Sequence, residues 1–378
     1  MALTLASDPY VRAGTTIRDY IRGAENLTAR RRLEVALLKK YGRIKYNCGG
    51  DGFQWQAEFQ QGTVQDNNGA QSVTPSPVDR YRTAFLTYEG AVNHDRITKR
   101  EKLMNEQSSS RLVDQFKDTG KKLLRELEEH FCQSMYTDGP ANPGKLSGLQ
   151  SFTGYTQTLQ ANATTPTART ANAADPLGVP SDTYATINCA LGGVAGSWTG
   201  GDYVTGQGTS SYDFWAPIII RMQSTYFGGS TLAANIVEGL KLGVMLNLRQ
   251  KPQDGGCVDT VLTSNNVWFT LSNRQDAKER VTVSEAWKMP HYGMDQDQGV
   301  IIIDGTRVTW TYDCPASRGF GVNWQSVQFR SMQDSLFQLD PKSPEWFSRE
   351  RSFGWIADYL GQWKFRSPRD FVYYDNNY

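Results

Sequence analysis

The chain has 378 residues, with 40 Lys plus Arg against 39 Asp plus Glu. That length allows two or three domains or one elaborate one, and the balanced charge excludes a protein whose whole surface grips nucleic acid as a polycation. Glycine (35 residues) and aromatics (12%) are both abundant, a composition suited to a mixed or β-rich protein with many turns and large flat contacts.

The first predicted element is a basic, helix-prone stretch over residues 15–45, in which Leu33, Leu37 and Leu38 share a face. Arg22, Arg30, Arg31, Arg32, Lys39 and Lys40 dominate its charge, with Glu34 among the few acids. Charge patterning alone leaves two readings open: a solvated helix face, or an arm lying along an acidic partner.

Next comes "FQWQAEFQQ", where Phe53, Trp55, Ala57 and Phe59 alternate with Gln54, Gln56, Glu58 and Gln60. Period-2 alternation marks a strand with one apolar face. A polar run follows, and then a second strand-like segment, "DRYRTAFLTYEGAV", carrying Tyr81 and Phe85. The two read as one long hairpin, and an isolated hairpin is marginal in water. Its aromatic side therefore needs a partner surface.

From Thr98 to Tyr136 apolar residues recur at three-, four- and seven-residue steps: Leu112, Phe116, Leu123, Leu127, Phe131 and Met135. This predicts an amphipathic spine helix, about 45 Å long if some 30 residues are helical. Asn93 or Asp95 is a candidate for its cap. "TDGPANPG" ends it. Residues 140–215 are Gly-, Thr-, Ala- and Asn-rich, with strand candidates at "TYATINCALGG" and "YDFWAPIIIRMQ". Residues 231–250 predict a second amphipathic helix, and "VDTVLTSNNVWFTLSN" a buried strand, a turn and a helix start. "GVIIIDGTRVTWTYD" predicts a hairpin on a type I′ turn at Asp-Gly. The tail "GWIADYLGQWKFRSPRDFVYYDNNY" is rich in strand-forming aromatics around Pro368.

Catalytic constellations do not emerge. The only histidines, His94, His130 and His291, fall in no metal-binding arrangement, and His130 reads as a packed or half-exposed helix residue. Asp295 and Asp297 have the spacing of a calcium loop's first ligands, but Gly299 and Thr306 occupy positions that need oxygen ligands. The glycine-rich stretches lack the Lys-Ser/Thr of a phosphate loop, and no GxSxG elbow is present. The five cysteines (Cys48, Cys132, Cys189, Cys257, Cys314) stand singly, which fits reduced thiols better than a disulfide framework or zinc finger. No apolar run approaches the roughly 20 residues of a membrane span, and the first residues make a poor signal peptide. The expectation is a protein made in a cytoplasm that is not an enzyme and uses no cofactor and no metal.

The order of parts resembles the major capsid proteins of tailed double-stranded DNA bacteriophages, the Hong Kong ninety-seven-like family, whose fold also builds encapsulin shells. "IKYNCGGDGFQWQAEFQQ" and "DRYRTAFLTYEG" are similar to the two strands of that family's extended loop. "VDTVLTSNNVWFTLSN" resembles the strand, turn and helix of its axial domain, and "GQWKFRSPRDFVYYDNNY" its final peripheral strand.

The resemblance implies an α+β tailed-phage capsid fold with an N-terminal arm (1–45), an extended hairpin loop (46–97), a peripheral domain with the spine helix (98–230), an axial domain (231–350) and a closing peripheral strand (351–378). It implies that the hairpin face (Phe53, Trp55, Phe59, Tyr81, Phe85) is an intersubunit contact. It makes the basic arm an inner-face or clamping element, and it builds the spine core from Leu112, Phe116, Leu123, Leu127 and Phe131. The implied function is self-assembly into an icosahedral virion shell around double-stranded DNA, matured from a procapsid assembled in the host cytoplasm. Implied partners are further copies of the chain as pentamers and hexamers, a portal, scaffolding or decoration proteins, and packaged DNA held non-specifically, with no membrane. Two departures stand out. No lysine lies between Tyr46 and Thr98, so the covalent Lys–Asn weld of some relatives is not expected. The roughly 45 residues ahead of the hairpin are also too few for the coiled-coil scaffold segment of others.

Two alternatives stay beside this reading. One is an encapsulin-type compartment shell. The other is a β-rich carbohydrate-binding or hydrolysing protein, suggested by Trp198, Trp215, Trp310 and Trp324 among Gly and Asn. In its competing reading those tryptophans simply pack cores or interfaces.

Overall fold

The computed structural model describes residues 32–59, 79–106, 115–156, 176–191, 198–199, 207–208, 214–229, 231–249, 257–275, 300–340 and 344–376. Its principal elements, in chain order, are α1 (Leu33–Lys40), β1 (Ile44–Lys45), β2 (Gly52–Glu58), β3 (Tyr81–Thr87), β4 (Glu89–Thr98), α2 (Lys99–Glu106), α3 (Gln115–Ser134), β5 (Ile218–Arg221), α4 (Leu232–Arg249), β6 (Thr260–Thr263), α5 (Asn265–Gln275), β7 (Val300–Ile303), β8 (Thr306–Trp310), β9 (Arg318–Val322), β10 (Val327–Ser331), β11 (Glu345–Phe347), β12 (Ser352–Phe365) and β13 (Val372–Asp375). The class is α+β. Among the described residues no helix is long and apolar enough to cross a membrane.

The described residues fall into two compact units. The smaller comprises Val92–Glu126 and Leu339–Ala357. Here Thr98 caps α2 reciprocally: its hydroxyl accepts from the Glu101 amide (3.3 Å), and the Glu101 carboxylate accepts from the Thr98 amide (2.9 Å). This capping box corrects the expectation of Asn93 or Asp95. β11 pairs with the start of β12, Glu345 opposite Gly354 and Phe347 opposite Ser352. Phe353 meets Trp346 in a tilted pair at 4.8 Å and lies under the Lys102 amine at 4.4 Å. Arg96 forms an ion pair with Glu350.

The larger unit comprises Arg30–Ala91, Leu127–Gln338 and Asp358–Tyr378. Its main sheet runs β5-β13-β9-β6-β8-β7. β7 and β8 turn through Asp304 (φ 47°) and Gly305 (φ 79°), the two positive φ values that a type I′ turn requires. α4 and α5 cover this sheet, with Ile236, Leu240, Val267 and Leu271 packed on Ile218, Ile220, Val261, Val308 and Val372. Gly243 permits the close approach of α4, because a Cβ there would strike the Tyr374 ring and hydroxyl.

β13 sits between β5, to which it is parallel, and β9, to which it is antiparallel. The segment expected to close the peripheral domain therefore ends in the sheet of the expected axial domain. "VYYD" is buried along its whole length, as a central strand must be. A second sheet orders β1, β10 and β12, with β1 parallel and β12 antiparallel to β10. Phe131 of α3 plugs its inner face, meeting Phe329 at 4.7 Å and Trp363 at 4.8 Å. The expected boundaries at 97/98 and 230/231 do not divide the compact units.

The expected spine appears as α2 and α3 on either side of residues 107–114. Leu112 lies outside the described residues, and Phe116 lies in α3. Leu123, Leu127, Phe131 and Met135 are buried, as their spacing predicts.

Candidate functional site

Three places carry the residues singled out from sequence, or chemistry that the sequence conceals. The first is the β2–β3 hairpin, whose described part belongs wholly to the larger unit. Its register places Phe53 opposite Leu86, Trp55 opposite Ala84 and Ala57 opposite Arg82. Directly paired residues share a face, so Gln54, Gln56 and Glu58 share the other face with Phe85, Thr83 and Tyr81. The five aromatics expected on one face are thus split between two.

Phe53 and Phe59 are buried by their own chain and Trp55 half-buried. Phe59 packs on Phe214 at 5.6 Å; Trp55 meets Tyr184 and Trp215 at 6.4 Å each and donates from Nε1 to the Arg366 carbonyl at 3.0 Å. Arg330 and Lys364, on neighbouring strands β10 and β12, lie over the Phe53 and Trp55 rings at 4.7 and 5.1 Å. Burial, then the Arg330 charge, lowers the Lys364 pKa. The hairpin's apolar side therefore has a partner within its own chain. The opposite side is open, with Tyr81 57% exposed and Phe85 half-buried.

The second place is the basic arm. Arg22, Arg30 and Arg31 lie outside the described residues. Arg32 pairs with Glu128 of α3. Every residue from Leu33 to Leu38 is buried, so α1 is a core helix and not a solvated face; only Lys39 and Lys40 reach the surface at its end. The Lys40 amine lies 6.0 Å from the Tyr41 ring, and burial, then Arg307, lowers its pKa.

The burial of α1 takes Glu34 with it, and this makes the third place. Glu34 is 0% exposed. Its Oε1 accepts from the hydroxyls of Tyr136 and Thr311, each at 2.8 Å. Cys132 of α3 and Asp313, just beyond β8, face the same point. Burial, followed by the Asp313 charge, pushes the Glu34 carboxyl up to about 7. Burial also pushes the thiol of Cys132 and the phenol of Tyr136 upward, with Glu34 adding to both. The Val35 amide donates to the Cys132 sulfur and opposes that rise. Sequence reading passed over this cluster because Glu34 sits among cations, while Cys132 and Asp313 stand alone in distant segments. The available signal was the apolar run "LEVALL", too continuous for a solvated helix.

The remaining sites separate cleanly. Trp215 and Trp324 are buried, which removes them from any sugar-binding surface, and Trp198 has no described side chain. Trp310 borders an open apolar depression with Asn265, Trp268 and Phe269. Phe269 is 62% exposed, and Tyr312 lies beside Trp310 in an edge-to-face pair at 4.9 Å. A polar cleft of about 520 Å³ is lined by Asp138, Tyr155, Asp182, Arg318 and Asp375. His130 is a surface helix residue whose Nδ1 lies 2.8 Å from the Tyr359 hydroxyl. All five cysteines are free thiols.

No protein-family model matches the sequence, and no curated protein shows significant similarity to it. Solved structures do match. The capsid of cyanophage A-1(L) superposes with a TM-score of 0.58 at 14% identity, covering 96% of this chain and 97% of that one. The capsid of a native GTA particle gives 0.52 at 12% identity, covering 99% of each. The mature capsid of bacteriophage PhiM1 gives 0.53 at 10% identity, covering 96% and 91%. At these identities the likeness concerns the fold, and it extends over nearly the whole of each chain.

Proposed function

We propose that this chain, which has the fold of tailed-phage capsid subunits, is itself a major capsid protein that assembles into an icosahedral shell around double-stranded DNA. The observation that carries the reading is coverage: 96–99% of the chain is taken up by the capsid fold in the three matches above. That leaves little polypeptide for a separate catalytic or binding domain, so the role is structural.

The six-stranded sheet with α4 and α5 is the part assigned to contacts around the five- and six-fold axes, where the apolar depression at Phe269 and Trp310 would be covered. The open side of the hairpin, with Tyr81, is assigned to a contact with a neighbouring copy. Burying one such aromatic is worth on the order of 2 kcal/mol, small enough for each contact to reverse during assembly and sufficient when repeated around a shell. Balanced charge suits a wall that must release the DNA it encloses, since phosphate contacts dominate non-specific binding. Portal, scaffolding or decoration proteins complete the proposed partners, with assembly in the host cytoplasm and a place in the virion.

The test is expression of the chain alone and with co-expressed scaffolding candidates, followed by size exclusion and negative-stain microscopy. Closed shells, tubes, or rings of five and six support the reading. A monomer under every condition overturns it. Truncation should stop at residue 31, because removal of residues 1–45 would also tear out the buried helix α1. Loss of shells from a folded truncated chain would assign the clamping role to the arm.

A further inference from the structure

We propose that Glu34, Cys132 and Asp313 form a binding site for a borderline-soft divalent cation, zinc above all. One ligand atom from each side chain lies within 4.8 Å of the others. A tetrahedral ion with bonds of about 2.0–2.3 Å holds its ligand atoms roughly 3.3–3.8 Å apart, so binding would draw the three side chains together by up to about 1 Å.

The second observation is the state of the Glu34 carboxylate. Its Oε1 is held by the Tyr136 and Thr311 hydroxyls, while Oε2, equally buried, has no hydrogen-bond partner. A buried carboxylate oxygen without a partner is costly. One oxygen oriented by two donors beside a bare second oxygen is the arrangement in which outer partners aim a metal ligand. The donors belong to the same small region, since the Asp313 amide also approaches the Thr311 hydroxyl at 3.4 Å.

The donor set chooses among ions. One sulfur and two carboxylate oxygens fit zinc or a similar borderline ion, whereas calcium and magnesium call for all-oxygen shells. Cys314 lies close by but directs its thiol to the carbonyls of Arg318 (3.5 Å) and Leu262 (3.9 Å), so the sulfur ligand is Cys132. Binding would release the thiol proton and that of Glu34, and the dication would balance the thiolate and carboxylate charges so formed. Asp313 is only half-buried and marks the side from which an ion enters and on which a water completes the coordination. Occupied, the site would staple α1 to α3 and to the segment following β8.

The experiment uses the untagged full-length chain, stripped with chelator and titrated with zinc or with cobalt as its spectroscopic substitute. One equivalent of metal per chain is expected, with a thiolate-to-cobalt charge-transfer band in the near ultraviolet. Cys132→Ser should abolish that band, Cys257→Ser should keep it, and Asp313→Asn should weaken affinity about tenfold or more. Stoichiometry and band are both read on the wild-type chain, so a variant that fails to fold leaves the test intact. Wild-type chain that takes up no stoichiometric metal, or binds it without the sulfur band, overturns the proposal. In that case Glu34→Gln should be at least as stable as the wild type, because the carboxyl is then held as a neutral acid.

Discussion

Replacing Trp55 with alanine would separate a hairpin anchored on its own chain from one held between subunits. The indole donates to the Arg366 carbonyl at 3.0 Å, and losing that bond should cost about 1 kcal/mol. Its ring meets Phe53 at 5.7 Å and Tyr184 and Trp215 at 6.4 Å, contacts worth about 2 kcal/mol for a half-buried indole. The Lys364 amine 5.1 Å from the ring centroid adds about 0.5 kcal/mol at such partial exposure. Trp55→Ala should therefore destabilise the unassembled chain by about 3.5 kcal/mol. Trp55→Phe, which keeps the ring contacts and loses the donor, should cost about 1 kcal/mol. Urea unfolding of unassembled chain, followed by far-ultraviolet circular dichroism, reads both. A Trp55→Ala chain within about 0.5 kcal/mol of wild type, yet unable to assemble, would refute the intramolecular anchor and return this face to the intersubunit contact.

Phe131→Ala should cost about 3–5 kcal/mol, because the ring is fully buried among Phe329, Phe337, Tyr359 and Trp363; urea unfolding followed by circular dichroism measures it. Gly305→Ala should cost about 1–2 kcal/mol through backbone strain alone, since φ is +79° and nothing lies within 4 Å of a new Cβ; an unchanged unfolding midpoint would contradict the turn assignment. For the metal-free chain, the folded pKa of Glu34 is raised from 4.5 to about 7, so the folded state holds a proton that the unfolded state gives up. The contribution of Glu34 to stability should then be fullest below about pH 4.5 and fall as pH rises toward 7, by about 3 kcal/mol. Glu34→Gln should flatten that dependence in pH-resolved unfolding curves. On a denaturing gel, assembled particles should run as single chains, because the hairpin has no lysine between Tyr46 and Thr98; a covalent ladder would count against this.

Local signals were legible wherever one residue pair or one period decides the structure. Asp304-Gly305 specifies its turn, the three- and four-residue spacing of Leu123, Leu127 and Phe131 specifies a buried stripe, and "VDTVLTSNN" passes from buried strand to helix as its pattern requires. What escaped was relational. Alternation in β2 shows that Phe53 and Trp55 share a face, but not that Tyr81 and Phe85 pair onto the other one, because register depends on a turn whose geometry the polar run does not encode. "FVYY" reads as a strand, yet nothing in it names the partners of β13. Glu34 was hidden by its neighbours: three arginines before it and two lysines after it suggest a wet helix, while the six residues from Leu33 to Leu38 are the part that folds inward.

The place of β13 has a consequence for the timing of synthesis. β5 pairs in the main sheet with β13 alone, and β13 joins it to β9. Until residues 372–375 have left the ribosome, β9 lacks its neighbour on that edge, β5 has the 176–178 segment but no link to the sheet, and the helix packed over them covers an incomplete floor. A polypeptide interrupted anywhere upstream cannot mimic a finished subunit. Only molecules translated through that strand hold the complete sheet, and in the shell proposed above only those would present a finished subunit's surfaces.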